Sequence, residues 1–405
     1  MKVLLIGKIW PEPKSSAAGS RTLDILRALR AVHWEVHFAC AAQKSEFSDD
    51  LGSRFEISTH SIELNHSSFD QWVSGLQPDI VLFDRYMTEE QFGWRVAQAL
   101  PDCLQVIDTS DLHCLRHARE QALKSDSPLN LHNEISLREI AAIYRADLSL
   151  MIAEKEMQIL SETFNVPNTL IAYWPFALPE PKNGVPPFEE RNNFVMIGSF
   201  LHEPNWDAVQ YCRKEIWPLI RKELPDAKLD VYGSYPPPKA RQLDNDKIGF
   251  RVLGRADDAQ TTLARYRVNL APLRFGAGLK GKLADSFLSG TPSVASPIAV
   301  ESMPGNFDWG SSVSTKTEEF AKTAIRIHED KNAWEHAQAC GYAIARNRFS
   351  EKEWMPKLPS LLSEAFEERD SRRSHNFVGQ MLRHHQHRST EFMSRWIEAK
   401  NSSQP

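Results

Sequence analysis

The residues best suited to chemistry lie in one run, VNLAPLRFGAGLKGKLADSFLSGTPSVAS, residues 268–296. A strand is predicted to end at Leu273, and a glycine turn follows. A helix begins near Lys280, with Leu279, Leu283 and Phe287 repeating every four residues. Gly290 reads as the C′ stop of that helix, and Pro292 prevents continuation. Strand, glycine turn and helix N-terminus make an anion cradle, because free N–H groups and the positive end of the helix dipole point at the same spot. Gly276 and Gly278 let the backbone approach a phosphate closely. Arg274, Lys280 and Lys282 add positive charge, and Asp285 can accept hydrogen bonds from a ribose hydroxyl. A tight turn with solvated basic residues is the plainer alternative, since a glycine loop alone is weak evidence.

Other candidates follow strand-like runs. In GSFLHEPNWDA (198–208), Ser199, His202 and Asn205 stand where a second anion or sugar contact would fall, or where ordinary helix capping would. Gly233 and Gly254 close two further strands, and Arg255 follows the second. In the first half, DTSDLHCLR places Asp108, Asp111, His113 and Arg116 past a strand's carboxyl end, where catalytic groups of open α/β sheets gather. An extended loop would point Asp111 and His113 opposite ways, whereas Asp111 and Arg116 can pair. Asp84 and Arg85 end another strand. Gly19, Ser20 and Arg21 open a helix after the first strand and can reach a diphosphate across a cleft. Asp244, Asn245 and Asp246 spell D-x-D but read as a solvated turn. His384, His385 and His387 lie in a polar, arginine-flanked tail rather than in a ligand set.

These segments need elements to position them. KVLLIG (2–7), EVHFAC (35–40), PDIVLFD (78–84), CLQVID (103–108) and LSLMIA (148–153) are strand-sized apolar runs separated by helical spacings. Such alternation implies a parallel sheet covered on both faces. The stretch YWPFALPEPKNGVPPFEER (173–191) holds five prolines and reads as a semi-rigid linker. The alternation restarts with NFVMIG, KLDVYG, FRVLG, VNLAPL and TPSVAS, with a helix predicted from Trp206 to Leu224. The expected domains are a first α/β domain at 1–175, a linker at 176–192, a second α/β domain at 193–350, and C-terminal helices and tail at 351–405. Two α/β units leave a cleft between them as the default site.

At 405 residues the chain exceeds what one core sustains. A net charge of -5 argues against nucleic acid as a partner. No apolar run reaches the ~20 residues of a membrane span. The start MKVLLIGKIWPEP is too short in its apolar part for a signal peptide. Five widely spaced cysteines without C-x-x-C point to free thiols in a cytoplasmic protein.

The run at 271–296 resembles the donor-site segment of GT-B glycosyltransferases, in particular retaining enzymes of family four and a bacterial subset reading roughly APLRxGAGxKGKxxEAMAxGxPVVxT. FVMIGSFLHEPNWDAVQYCRKEIWP, AKLDVYGSYPP, VIDTSDLHCLRHARE and REIAAIYRADLSLMIAEKEMQIL are similar to other segments of that subset, so the likeness spans Lys2 to Glu301. It implies two Rossmann-like doubly wound domains facing a central cleft, with a C-terminal helix crossing back to the first domain. It further implies that Gly276, Ala277, Gly278, Leu279, Lys280 and Lys282 hold a donor pyrophosphate with Arg274 nearby. Asp285 stands where the family's ribose-binding glutamate is usual, and the first acid of the common Glu…Glu pair is replaced by Phe275 and Gly276.

The implied reaction moves a sugar from a nucleoside-diphosphate sugar to a hydroxyl of a glycan, lipid or protein, with retention, with no cofactor and no metal required. Arg274 and Lys280 would stabilise the leaving phosphate, and Asp111 or His113 would be the base if one exists. A nucleotide-sugar 2-epimerase and a non-catalytic GT-B binding protein are the alternatives. The basic, partly amphipathic tail from Arg372 to Trp396 could cover the cleft or lie on the inner face of a membrane, and the resemblance favours a last helix that crosses back to the first domain.

Overall fold

The structure is a computed structural model that describes residues 1–402, with the side chains of residues 385–388 left outside the description. His385 and His387 of the tail cluster therefore lie outside the described residues.

The apolar runs of the first half form a seven-stranded sheet of order β3-β2-β1-β4-β5-β6-β7. The strands are β1 (Lys2–Gly7), β2 (Glu35–Cys40), β3 (Ser58–Ser61), β4 (Ile80–Asp84), β5 (Leu104–Asp108), β6 (Leu148–Met151) and β7 (Ile171–Tyr173). Every pairing is parallel. β4 and β5 are buried at every residue, as expected of strands covered on both faces. β3 differs: its sequence is STHS, it lies at the edge, and most of it is exposed.

The second half forms a five-stranded parallel sheet of order β10-β9-β8-β11-β12. Its strands are β8 (Asn192–Ile197), β9 (Leu229–Tyr232), β10 (Phe250–Gly254), β11 (Tyr266–Ala271) and β12 (Ser293–Ala295). The helical stretch after β8 is interrupted by a π-turn at Cys212–Ile216 before the helix Trp217–Glu223. Pro218 lacks the N–H that a regular helix would use there, and a wider turn tolerates the loss.

The chain then returns to the first sheet. Leu358, Leu362 and Ala365 of the helix Glu351–Glu367 share a core with Leu23, Leu26 and Leu29 of the helix Ala17–Ala31. The Trp174 indole donates to the Trp354 carbonyl at 2.9 Å. Outgoing and returning segments run side by side, with Leu178 and Phe349 bonded at 2.6 Å and Glu351 and Leu178 at 2.8 Å. The last helix, Phe377–Ser402, lies along the first domain. Arg373 and Arg383 reach Asp147 at 2.7 and 3.1 Å, and Ser67 donates to Glu398 at 2.6 Å. The crossing-back of the C-terminal helices is thus present. Among the described residues no helix is long and apolar enough to cross a membrane.

Candidate active site between the two sheets

A cavity of about 670 Å³ opens between the two sheets. The loops after β1, β4 and β5 supply one wall, and those after β8, β9, β10 and β11 the other. In each sheet these loops leave the carboxyl ends of strands beside a change in strand order, the usual ligand position of doubly wound sheets. Two helix N-termini meet here. Ala17 begins one helix and Gly281 the other, so close that a Cβ on Gly281 would stand 2.6 Å from that of Ala17. Ser16 caps the first by accepting from the Gly19 amide at 3.1 Å, while no side chain caps the second. The opposed ends concentrate positive potential at one point.

Lys280 and Lys282 stand at that point. Lys280 is 8% exposed and donates to the carbonyls of Ala277 (3.1 Å) and Gly278 (2.5 Å). Burial lowers its pKa, while Glu301 and Glu156 pull it back upward. Lys282 donates to Asn205 at 2.7 Å, and burial together with Lys280 brings its pKa down to about 7. Asn205 also donates to the Ser199 carbonyl at 2.9 Å, and His202 stands exposed at the helix start beside them. Burial raises Asp285 to about 6, and its carboxylate accepts from Gln260 at 3.4 Å. Arg255 lies over the Phe47 ring at 4.2 Å and reaches Ser15 at 3.4 Å. Gly254 turns the chain at φ 79, and Gly233 lets the ends of β8 and β9 approach.

The glycine elbow is docked rather than open. The Gly278 amide donates to Glu156 at 2.8 Å, and the same carboxylate oxygen accepts from Leu112 at 2.7 Å. Ala277 joins a hydrophobic cluster of the first domain with Leu112, Leu115 and Met151. Arg119 binds the Gly276 carbonyl at 2.8 Å and pairs with Glu301 at 2.7 Å. The expectation that the Gly278 amide faces a diphosphate is therefore corrected, since a protein carboxylate occupies it. Gly276, Ala277, Leu279, Lys280 and Lys282 line the cavity; Gly278 does not.

Other expectations shift as well. Arg274 lies outside the cavity lining, forked onto Asp207 and stacked over Tyr211 at 4.9 Å. Arg21 touches the cavity but is 2% exposed, held by Asp108 at 2.7 Å and by the carbonyls of Trp174 and Pro175. Gly19 packs under the backbone of Glu12, where a Cβ would stand 2.5 Å from the Glu12 carbonyl carbon, so it is a packing glycine. Asp111 and His113 do not diverge. Ser110 has φ 59, and His113 starts a helix, so the loop curls and brings the His113 imidazole to 3.2 Å from Asp111, which also pairs with Arg116. Burial pushes the Asp111 carboxyl up, but Arg116 and His113 outweigh it and hold it well below the ordinary range. Burial lowers His113 despite Asp111. Both line the cavity, as do Ser199, His202, Asn205, Gly233, Arg255 and Asp285.

Sequence reasoning passed over Glu139 and Glu156. Glu139 accepts from the amides of His113 and Cys114, at 3.0 and 2.8 Å. Burial raises its pKa to about 8. Glu156 is raised too, by burial and then by Asp111. The only signal was a glutamate on the apolar side of each helical repeat. Tyr235, also missed, bridges the walls by donating to Glu12 at 2.9 Å. Asp244 and Asn245 serve the turn, accepting from Val252 at 2.7 Å and Lys247 at 3.1 Å. Away from the cleft, Asp308, His336 and Cys340 bring ligand-type atoms within 4.8 Å of one another, a grouping their spacing does not reveal.

Residues 191–330 match the family model described as glycosyl transferases group 1. Among solved structures, the sucrose-phosphate synthase of Thermosynechococcus elongatus is 12% identical, with a TM-score of 0.67 over 91% of this chain and 100% of that one. HepE of Anabaena, solved with UDP-glucose, is 13% identical, with a TM-score of 0.67 over 90% and 100%. WaaG, a glycosyltransferase involved in lipopolysaccharide biosynthesis, is 11% identical, with a TM-score of 0.61 over 89% and 99%. These likenesses establish the GT-B arrangement of two Rossmann-like units. A comparison with curated protein sequences gives no match.

Proposed function

We propose that this chain, whose second half carries a group 1 glycosyl transferase domain, moves a sugar from a nucleoside-diphosphate sugar to a hydroxyl of a glycan, lipid or protein acceptor. The observation that carries the proposal is the meeting of two helix N-termini with Lys280 and Lys282 at one point of the cleft. The diphosphate lies in the cavity beside this contact, within reach of Lys282 and the Gly281 amide, Asp285 accepts from the ribose, and the base lies toward Gly254 and Arg255. A uridine nucleotide is the first donor to try, since HepE was solved with UDP-glucose.

Sugar transfer requires the anomeric carbon to part from a phosphate that gains charge as it leaves. Lys280, Lys282 and the uncapped amides at Gly281 oppose that charge in a preorganised, partly dry setting, where a fixed donor contributes most. The same side chains supply the cationic role, so the reaction requires no metal. The acceptor enters along the wall of Arg85, Ser110, Asp111 and His113. Asp111, tied to two cations, is a poor proton acceptor; His113, kept neutral by burial, is the better base. Where the sugar's configuration is retained, the departing phosphate itself can take the acceptor proton. Five unpaired cysteines suit a cytoplasmic setting.

Thermal shifts with UDP, GDP, ADP, CMP and dTDP sugars test donor binding, since ligand at 100-fold over its Kd adds ~2.7 kcal/mol. NMR of the stabilising donor with an acceptor panel then reads out transfer, with turnover unchanged by a chelator. An epimer or free sugar formed without any acceptor would overturn the transferase reading.

A further inference from the structure

The last helix uses one face against the first domain, and several large apolar side chains of its other face are exposed. Arg383, Ser394 and Glu398 look inward, to Asp147, Arg95 and Ser67. Phe377, Met381, Phe392 and Trp396 look outward and are 73%, 46%, 64% and 59% exposed. At about 100° per residue these four fall within about 100° of one another on the helix, on a side distinct from that of the inward residues. Val378 and Met393 lie next to them, also exposed. Nothing in the cleft explains four large apolar side chains left in water on one element as two clusters, Phe377/Met381 and Phe392/Trp396.

Charge indicates what covers it. Of the basic residues after Glu368, Arg369, Arg372, Arg373 and Arg383 bind the first domain, and those beside the exposed rings are Arg395 and Lys400. Lys400 lies 5.2 Å from the Trp396 ring, and Arg395 is exposed beside it. Aromatic side chains flanked by cations on a helix that lies flat against its own domain are the makeup of an interfacial helix, whose rings enter the headgroup layer while the cations meet anionic lipid. A second copy of this chain would bring a basic flank against a basic flank. We propose that the outward face of the helix Phe377–Ser402 docks this enzyme on an anionic lipid bilayer, without insertion across it, through the clusters Phe377/Met381 and Phe392/Trp396. The two uses of the tail weighed from the sequence, crossing back to the first domain and lying on a membrane, then belong to opposite faces of one helix.

The test uses the full chain and vesicles of phosphatidylcholine with or without phosphatidylglycerol, read by co-sedimentation, and needs no sugar transfer. The wild type is expected to sediment with the anionic vesicles, to release as salt rises, and to stay in solution with phosphatidylcholine alone. Phe392→Ser with Trp396→Ser is expected to weaken that binding about tenfold or more with unchanged far-ultraviolet dichroism and unchanged donor-induced thermal shift. Arg395→Glu with Lys400→Glu is expected to weaken it on anionic vesicles. The proposal is overturned if the wild type ignores anionic vesicles, if the serine variant binds them equally, or if light scattering shows a dimer that the serine substitutions dissociate. A failure of donor binding with vesicle binding intact would count against the transferase reading alone.

Discussion

The two walls of the cleft carry similar side chains arranged to opposite ends. On the first-domain wall the charges cancel: Arg21 lies on Asp108, and Arg116 and His113 on Asp111. On the second-domain wall the cations meet mostly neutral groups. Lys280 points at two carbonyls, Lys282 at an amide oxygen, and Arg255 at a ring. The first arrangement is satisfied before anything binds and contributes shape. The second leaves its lysines only partly compensated, Lys280 by the more distant Glu301 and Glu156, and an anion relieves that cost. The proposed donor site thus lies where pairing is incomplete.

The contrast can be broken at its strongest point by Arg21→Met. Removing this guanidinium strands Asp108 in a buried site, and a loss of about 3–5 kcal/mol is expected in urea denaturation. Little change in the midpoint would mean that the first wall is not held by its pairs. Next is Lys280→Ala, expected to lower turnover by ~10²–10³ while the fold persists by circular dichroism. A near-wild-type rate would falsify the placement of the diphosphate.

The third prediction sharpens the comparison through pH. Lys282 has a pKa of about 7, below its ordinary value, so the free enzyme loses this cation as pH rises through 7. A bound diphosphate favours the protonated form, so affinity should fall by up to about tenfold per unit above that point, with proton uptake visible in titrations in buffers of different ionisation heat. Asp285, raised to about 6, accepts from ribose more strongly when ionised, so affinity should also fall as pH drops below 6. A flat profile between 5 and 9 would exclude both roles. The smallest effect is expected of Arg274→Ala. An exposed fork onto Asp207 is worth about 0–1 kcal/mol, and turnover should not change, which a steady-state assay would check.

Much of the fold was legible because parallel strands covered on both faces must be apolar throughout, as IVLFD and LQVID are. β3 was not, because an edge strand of sequence STHS follows no such rule. The π-turn after Tyr211 was hidden in a helical pattern. Within the candidate site, the glycine run and both lysines could be read from their order along the chain. The direction of Arg274 could not, since adjacency to the elbow says nothing of whether the side chain leaves toward the cleft or toward Asp207. Glu139 and Glu156 were harder to read for another reason: their place on an apolar helix side was a faint signal, and the amides that bury each arrive from distant loops.

One consequence follows from the way the helix Glu351–Glu367 completes the core around Leu26 and Leu29. A ribosome delivers the 190-odd residues of the first lobe and then the whole of the second before it releases that closing piece. The lobe made first must therefore wait, open along one side, while the lobe made later can finish ahead of it. Nascent chains stalled so that Phe349 has left the exit tunnel and Glu351–Glu367 has not should be cut readily by protease in the leading lobe and resist in the trailing one, an inversion of the order in which most tandem proteins mature.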